Sequence, residues 1–216
     1  DNTDLCNVSF DPTNDILRAN VSSFSNYTLS EVTTCGTISS NITLTENLTS
    51  SGTCFIINAS NIIIDGAGYT ITGDETGNGF KVFNFSNITI KNFAGIIDYA
   101  IGGNFTNSSN NTIANNTILT AYAFSNDALY FAGEYRGNLI SNNSLSTLWG
   151  DSFGIRLTGY YGNTGYNVIE NNVINTTPGS GSTGISISSS NNNITNNTIY
   201  TGASNGLDLN NLISNN

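Results

Sequence analysis

The 216-residue chain has few positive charges: five Lys and Arg residues stand against 15 Asp and Glu, for a net charge of −10. Proteins that grip a nucleic-acid backbone need a basic face, so this balance argues against nucleic-acid binding. Histidine is absent, which removes the commonest general base and metal ligand. No apolar run reaches about 18 residues, so the sequence predicts no membrane span.

Methionine is also absent, and the chain begins at Asp1. This indicates a processed end from which a signal peptide has been removed, and hence a secreted, cell-surface protein. Cysteine is scarce, with three residues. An odd number in a secreted chain implies one disulfide and one thiol that is free or intermolecular.

A short phrase, apolar–polar–Asn–Asn–x–apolar, recurs along the chain. With its looser copies it is anchored at Leu44, Ile64, Ile90, Ile113, Ile140, Ile169, Ile194 and Ile213. The units between anchors contain short strands with period-2 alternation, separated by Gly and Asn turns, and no helical period. Such units predict a parallel β-helix of about eight coils over residues 35–216.

The Asn pair of the phrase has a structural explanation. Asparagine tolerates the left-handed backbone conformation, and stacked Asn amides can bond to one another as a ladder. On this repeat the chain resembles the right-handed parallel β-helix repeat family of archaeal and bacterial cell-surface proteins. The resemblance implies an all-β fold at the cell surface and says little about function.

Residues 1–34 lie outside the repeat and are expected to form a cap over the first coil or an arm that docks on a neighbouring subunit. Cys35 and Cys54 are one short coil apart, which places them on adjacent coils within reach of a disulfide. Cys6 is left over: it competes for Cys35, stays free or bridges two chains.

At the other end the repeat runs through Ile213, Asn215 and Asn216 without a capping element. Either the chain continues further, or something else covers this coil. If a second copy does so, two different ends meet in a heterologous contact, which propagates into filaments. The expected partner is therefore the protein itself.

Asn-x-Ser/Thr sequons are dense, with 16 in the chain. Covalent N-glycans are expected to supply the solubility that charge does not. The three sequons at Asn115, Asn142 and Asn196 also begin ladder pairs, and they would be blocked if those side chains point inward. The remaining candidates are Asn7, Asn20, Asn26, Asn41, Asn47, Asn58, Asn84, Asn87, Asn104, Asn107, Asn110, Asn175 and Asn193.

A second strand phrase runs in step with the first, and its middle residue is expected to face outward. That column is predicted to be Lys81, Gly102, Tyr130, Arg156, Ser186 and Asp208. It lacks the paired carboxylates of glycoside hydrolysis, so no enzyme is predicted. Asp127 and Asp151 precede successive strands and are either a Ca²⁺ site with loop carbonyls or scattered solubilising acids; no other cofactor or metal is expected.

Aromatic residues cluster in two consecutive coils. They are expected to form an interface, to pack locally within loops, or to bind sugars, and they are Tyr130, Tyr135, Trp149, Tyr160, Tyr161 and Tyr166. Phe80, Phe83 and Phe131 are expected to be core residues.

These features favour a glycosylated structural subunit of an extracellular filament, sheath or surface layer. The alternatives are a carbohydrate-binding or carbohydrate-cleaving β-helix, supported by the fold and the aromatic cluster, and an adhesin module of a longer chain.

Overall fold

The computed structural model describes residues 7–11, 16–20, 30–120, 126–159, 164–176, 181–202 and 205–209, with side chains from residue 33 onward. All the regular secondary structure in these residues is β-strand, as the sequence predicts. The described residues contain no helix long and apolar enough to cross a membrane. In chain order the strands are β1 (Asn7–Asp11), β2 (Ile16–Asn20), β3 (Ser30–Val32), β4 (Gly36–Ile38), β5 (Ile42–Leu44), β6 (Leu48–Thr49), β7 (Phe55–Ile57), β8 (Ile63–Asp65), β9 (Thr70–Thr72), β10 (Asn78–Phe83), β11 (Thr89–Lys91), β12 (Gly95–Tyr99), β13 (Ile101–Thr106), β14 (Thr112–Ala114), β15 (Thr117–Thr120), β16 (Leu129–Ala132), β17 (Tyr135–Arg136), β18 (Leu139–Ser141), β19 (Ser144–Thr147), β20 (Phe153–Thr158), β21 (Thr164–Gly165), β22 (Val168–Glu170), β23 (Val173–Thr176), β24 (Thr183–Ile187), β25 (Asn193–Thr195), β26 (Thr198–Thr201) and β27 (Leu207–Leu209).

Three parallel sheets form the walls of a β-helix. Sheet 1 contains β4, β7, β10, β13, β16, β20, β24 and β27. Sheet 2 contains β3, β5, β8, β11, β14, β18, β22 and β25, and sheet 3 contains β6, β9, β12, β15, β19, β23 and β26. The chain visits sheets 1, 2 and 3 in turn; we call the bends that follow each of them the first, second and third corner.

The number of complete turns is slightly below the predicted eight, because the eighth anchor, Ile213, lies outside the described residues. At the other end, β3 already pairs in parallel with β5, so the β-helix begins a little before residue 35. The strands β1 and β2 pair antiparallel with one another as a separate two-stranded sheet. Whether the first 34 residues act as a cap or an arm remains a prediction.

Columns of stacked apolar side chains fill the interior, since alternate residues of each strand face inward and parallel strands stack them in register. The inner column of sheet 2 consists of Ile42, Ile64, Ile90, Ile113, Ile140, Ile169 and Ile194. The predicted anchors are thus confirmed from Ile64 to Ile194. The first anchor is wrong by two residues: Ile42 registers with Ile64, although Leu44 is also buried.

The second Asn of each repeat phrase points inward and forms the predicted ladder at the second corner. Its rungs are Asn116, Asn143, Asn172 and Asn197. From Asn143 onward, each rung's Oδ1 accepts hydrogen bonds from both the backbone N–H and the side-chain amide of the rung before it. Such pairing satisfies polar groups that would otherwise be buried without partners.

A second ladder, which the sequence analysis did not identify, lies at the first corner. Its rungs are Asn111, Asn138, Asn167 and Asn192, joined by hydrogen bonds of 2.8–2.9 Å between their side-chain amides. One coil before the first rung of each ladder, the equivalent position is occupied by an apolar residue in place of asparagine. Ile88 N–H donates to Asn111 Oδ1 and Phe93 N–H donates to Asn116 Oδ1, each at 3.1 Å. Sheet 2 is therefore flanked on both sides by a buried column of amides.

Cys35 and Cys54 form a disulfide between adjacent turns, with their Cα atoms 4.6 Å apart. The flanking residues confirm the register, because Gly36 pairs with Phe55. Because Cys35 is bonded to Cys54, the structure does not support a disulfide between Cys6 and Cys35. A free Cys6 and a bond from Cys6 to a second chain remain predictions. Cys6 itself lies outside the described residues, as do Asn215 and Asn216 of the predicted assembly end.

Candidate functional site

An exposed residue precedes each ladder asparagine at the first and second corners, and it is asparagine at six of the eight rungs; the exceptions are Gly137 and Tyr166. The residue just before the ladder residue adopts the left-handed backbone conformation, for example Asn110 (φ 56°), Asn115 (φ 57°) and Asn142 (φ 56°). This conformation turns one side chain to solvent and the next into the ladder. Asparagine is the non-glycine residue that tolerates it best.

The corner geometry corrects one expectation. The sequons at Asn115, Asn142 and Asn196 were expected to be blocked if their side chains pointed inward. All three side chains are exposed, and the inward residues are their neighbours Asn116, Asn143 and Asn197. Burial therefore does not prevent modification at these three positions.

Most of the other predicted acceptors are also exposed. The exposed acceptors are Asn41, Asn47, Asn58, Asn84, Asn87, Asn107, Asn110, Asn175 and Asn193. Asn104 is half-buried within a strand. The side chains of Asn7 and Asn20 and the whole of Asn26 lie outside the described residues. Modification of all thirteen remains a prediction.

Five sequons coincide with the corner motif itself. In each, the acceptor Asn is left-handed, the next residue is buried (half-buried at Asn197), and the Ser or Thr begins a strand; the five start at Asn87, Asn110, Asn115, Asn142 and Asn196. The backbone alone explains an asparagine at these positions. Asn175 is different: it lies inside β23, where an extended strand does not require asparagine.

The outward column of sheet 1 reads Lys81, Asn104, Tyr130, Arg156, Ser186 and Asp208. The predicted column was therefore wrong at one position, since Gly102 is buried and Asn104 occupies the outward place. The error arose because Gly103 stands where neighbouring coils have a large apolar residue. The Phe105 ring lies beside Gly103 and stacks on Phe131 at 4.6 Å, so it fills that space.

A charged and aromatic cluster surrounds Arg156 on this face. Its guanidinium lies 4.7 Å from the ring centroid of Phe153 and 5.4 Å from that of Tyr130. One of its nitrogens is 3.7 Å from Asp127 Oδ2. Phe153 N–H donates to Asp127 Oδ1 at 3.2 Å. Asp127 and Arg156 were each candidates from the sequence, but no sequence signal indicates that Asp127, just before β16, contacts Arg156 on β20.

Asp127 is almost completely buried, with 2% of its surface exposed. Burial raises the pKa of its carboxyl to about 7, and the charge of Arg156 opposes that shift only in part. Its predicted calcium partner, Asp151, is exposed on the next turn. Among the described residues, no three Asp, Glu or Cys side chains come together as a group that could hold a metal ion. The Ca²⁺ site at Asp127 and Asp151 remains a prediction.

The predicted aromatic cluster separates into different environments. Tyr135 is fully buried and packs edge-on against Phe131, which fits loop packing and excludes a role as a surface contact. Trp149 and Tyr166 are exposed, and Arg136 lies 5.6 Å above the Tyr166 ring. Tyr160 and Tyr161 lie outside the described residues. Phe83, expected in the core, is 54% exposed because it falls on the outward alternation with Lys81.

Comparison of the chain with protein-family models, with curated proteins and with solved structures finds no match. The geometry of the described residues defines the class of the protein as a parallel β-solenoid with one disulfide between turns.

Proposed function

We propose that this chain is an N-glycosylated structural subunit of an extracellular surface assembly, built by end-to-end stacking of β-helices. The observation that carries the proposal is the alignment of exposed sequon asparagines along the corners of a rigid solenoid. Where two successive turns both carry a corner sequon, as at Asn87 and Asn110 or at Asn115 and Asn142, the acceptors are separated by about the strand spacing of ~4.8 Å. Glycans at such positions would coat the sides of the rod.

The ends of the solenoid supply the stacking surface. Every turn adds one parallel strand to each sheet, so the first strands of one copy can continue the ladder of the last strands of another. Because the two ends differ, this contact is heterologous and repeats along one axis. The disulfide supports an oxidising, extracellular setting.

Electron microscopy of the glycosylated protein tests the assembly. We expect fibres with the width of a single solenoid. Leu207→Lys places a charge on β27, the last described strand of sheet 1, and should abolish the fibres. Val173→Lys is the matched control, because Val173 is equally exposed (46% against 44%) but lies on the broad face of sheet 3. If the glycosylated protein without substitutions forms monodisperse short rods at all concentrations, the proposal is contradicted.

The cluster around Arg156 favours a second candidate, the binding of an acidic saccharide to the outer face of sheet 1. The stacked guanidinium offers donors to a carboxylate or sulfate, and the rings of Tyr130 and Phe153 hold it in place. Calorimetric titration with polyuronates should show binding that Arg156→Lys weakens at least tenfold. Equal affinity of the two proteins would count against this candidate.

A further inference from the structure

Sheet 3 exposes two large apolar side chains beside one sequon. Val173 and Tyr200 are 46% and 59% exposed, and both lie on the outward face of the sheet. Asn175 is two residues after Val173 on the same strand and the same face. Tyr200 is its direct register partner on β26. The exposed Asn175 side chain is therefore flanked by Val173 along the strand and by Tyr200 across it.

This arrangement does not follow from the demands of the fold. Neither a left-handed backbone nor a buried ladder accounts for the asparagine at 175, unlike at the corner sequons. Exposed Val and Tyr side chains on a flat sheet leave apolar area in water, at a cost of about 25 cal/mol per Å². A group attached to Asn175 can cover both of them at once.

We propose that a glycan on Asn175 lies along the face of sheet 3, with its first sugar resting on the Tyr200 ring and against Val173. This inference rests on the proposed glycosylation. Neighbouring strands are ~4.8 Å apart, so a sugar linked to Asn175 begins within one ring's width of Tyr200. Tyrosine combines an apolar ring face with a polar hydroxyl, which suits the apolar face and the polar rim of a sugar. Tyr200 is thus a platform that orders the glycan.

A second sequon asparagine with a tyrosine beside it in the sheet shows what distinguishes Tyr200. Asn104 also has a tyrosine as its register partner, Tyr130. That tyrosine is engaged already: Arg156 lies 5.4 Å from its ring centroid, and its hydroxyl accepts a bond from Thr158 at 3.3 Å. Asn104 itself is half-buried, and its Oδ1 accepts from Thr106 at 3.3 Å. We therefore assign the platform to Tyr200 alone.

A mutant cycle on the glycosylated protein tests the platform. Tyr200→Ala is made in the chain that keeps the Asn175 sequon and also in the Thr177→Ala variant. Thr177→Ala destroys the sequon while keeping Asn175. We expect Tyr200→Ala to lower the thermal unfolding midpoint by about 2–4 °C when the glycan is present and to change it little when the glycan is absent. Tyr200→Phe keeps the ring and should retain the midpoint. Asn175→Gln is a second way to remove the glycan and should give the same result.

An equal loss from Tyr200→Ala in both backgrounds would overturn the platform. Glycopeptide mapping separates this inference from the proposed function. If Asn175 is bare while other sequons carry sugars, the platform is wrong and the glycosylated assembly stands. If no sequon carries sugar, both are wrong.

Discussion

The side-chain amide of Asn143 donates to Oδ1 of Asn172 at 3.0 Å and to the carbonyl of Ile113 at 2.8 Å. Its own Oδ1 accepts two bonds from Asn116, one from the backbone and one from the side chain. All the polar groups of this buried amide are therefore used, and each bond connects successive turns. The ladder ties the second corner together where apolar packing alone could not satisfy the backbone.

Replacing a central rung should be severe. Asn143→Ala leaves the buried N–H groups of Asn116 without their acceptor and removes the donor to Ile113. Because each unsatisfied buried polar group costs about 1–3 kcal/mol, we expect a loss of about 3–5 kcal/mol in the free energy of unfolding. Urea denaturation followed by circular dichroism measures it.

The adjacent residue supplies the control for the ladder. Asn142 is exposed and left-handed, with φ 56°. Glycine accepts that conformation without strain, so Asn142→Gly should change stability by less than about 1 kcal/mol. If both substitutions cost the same amount, the ladder is not the stabilising feature of this corner.

Loss of the disulfide should loosen one end of the solenoid only. The bond closes a sequence separation of 19 residues, for which chain entropy gives about 3 kcal/mol. Repeat proteins are stabilised by contacts between neighbouring turns, so the effect should remain local. In Cys35→Ser with Cys54→Ser, we expect faster amide hydrogen exchange in β4 and β7 and unchanged exchange in β18 and β19. Uniformly faster exchange along the chain would contradict a local staple.

Asp127 should make the protein less stable as pH rises through neutrality. Burial raises the pKa of this carboxyl to about 7. The folded protein then binds the proton more tightly than the unfolded chain, where the pKa is near 3.9. The stability that the neutral form contributes is present below about pH 4 and is lost as pH rises towards 7. Between pH 5 and pH 8 we expect a loss of about 2–3 kcal/mol.

Urea unfolding at pH 5 and pH 8 measures this dependence, and Asp127→Asn should remove it. The lowered pKa values of Asp65 and Asp74 act in the opposite direction, because they favour the folded state above about pH 4, and their effect ends below this window. Asp151→Asn, at an exposed carboxylate, should keep the full dependence. Retention of the pH effect in Asp127→Asn would show that another group causes it.

The repeat phrase predicted the inner column of sheet 2 because β-branched anchors must stack in register there. The prediction failed at the first turn, where Ile42 and Leu44 are both buried and lie two positions apart on the same inward face of β5. A pattern with period 2 cannot choose between two apolar residues that are two positions apart. The choice depends on which of them the next turn pairs with, and here that is Ile42.

The direction of the Asn pair could not be read from the sequence for a similar reason. Which of two adjacent asparagines turns inward depends on which one takes the left-handed conformation, and both residues are chemically able to do so. The first-corner ladder was missed because its asparagine precedes a different residue in each turn. The contact between Asp127 and Arg156 joins a residue just before β16 to a residue of β20 in the next turn, and the lengths of the intervening corners vary too much for spacing to reveal it.

Glycopeptide mass spectrometry of the protein purified from its own source tests whether it is an N-glycosylated surface protein. We expect an intact mass well above the 22.9 kDa of the polypeptide, with sugars on exposed acceptors that include Asn142 and Asn175. A native mass equal to that of the bare chain would contradict it.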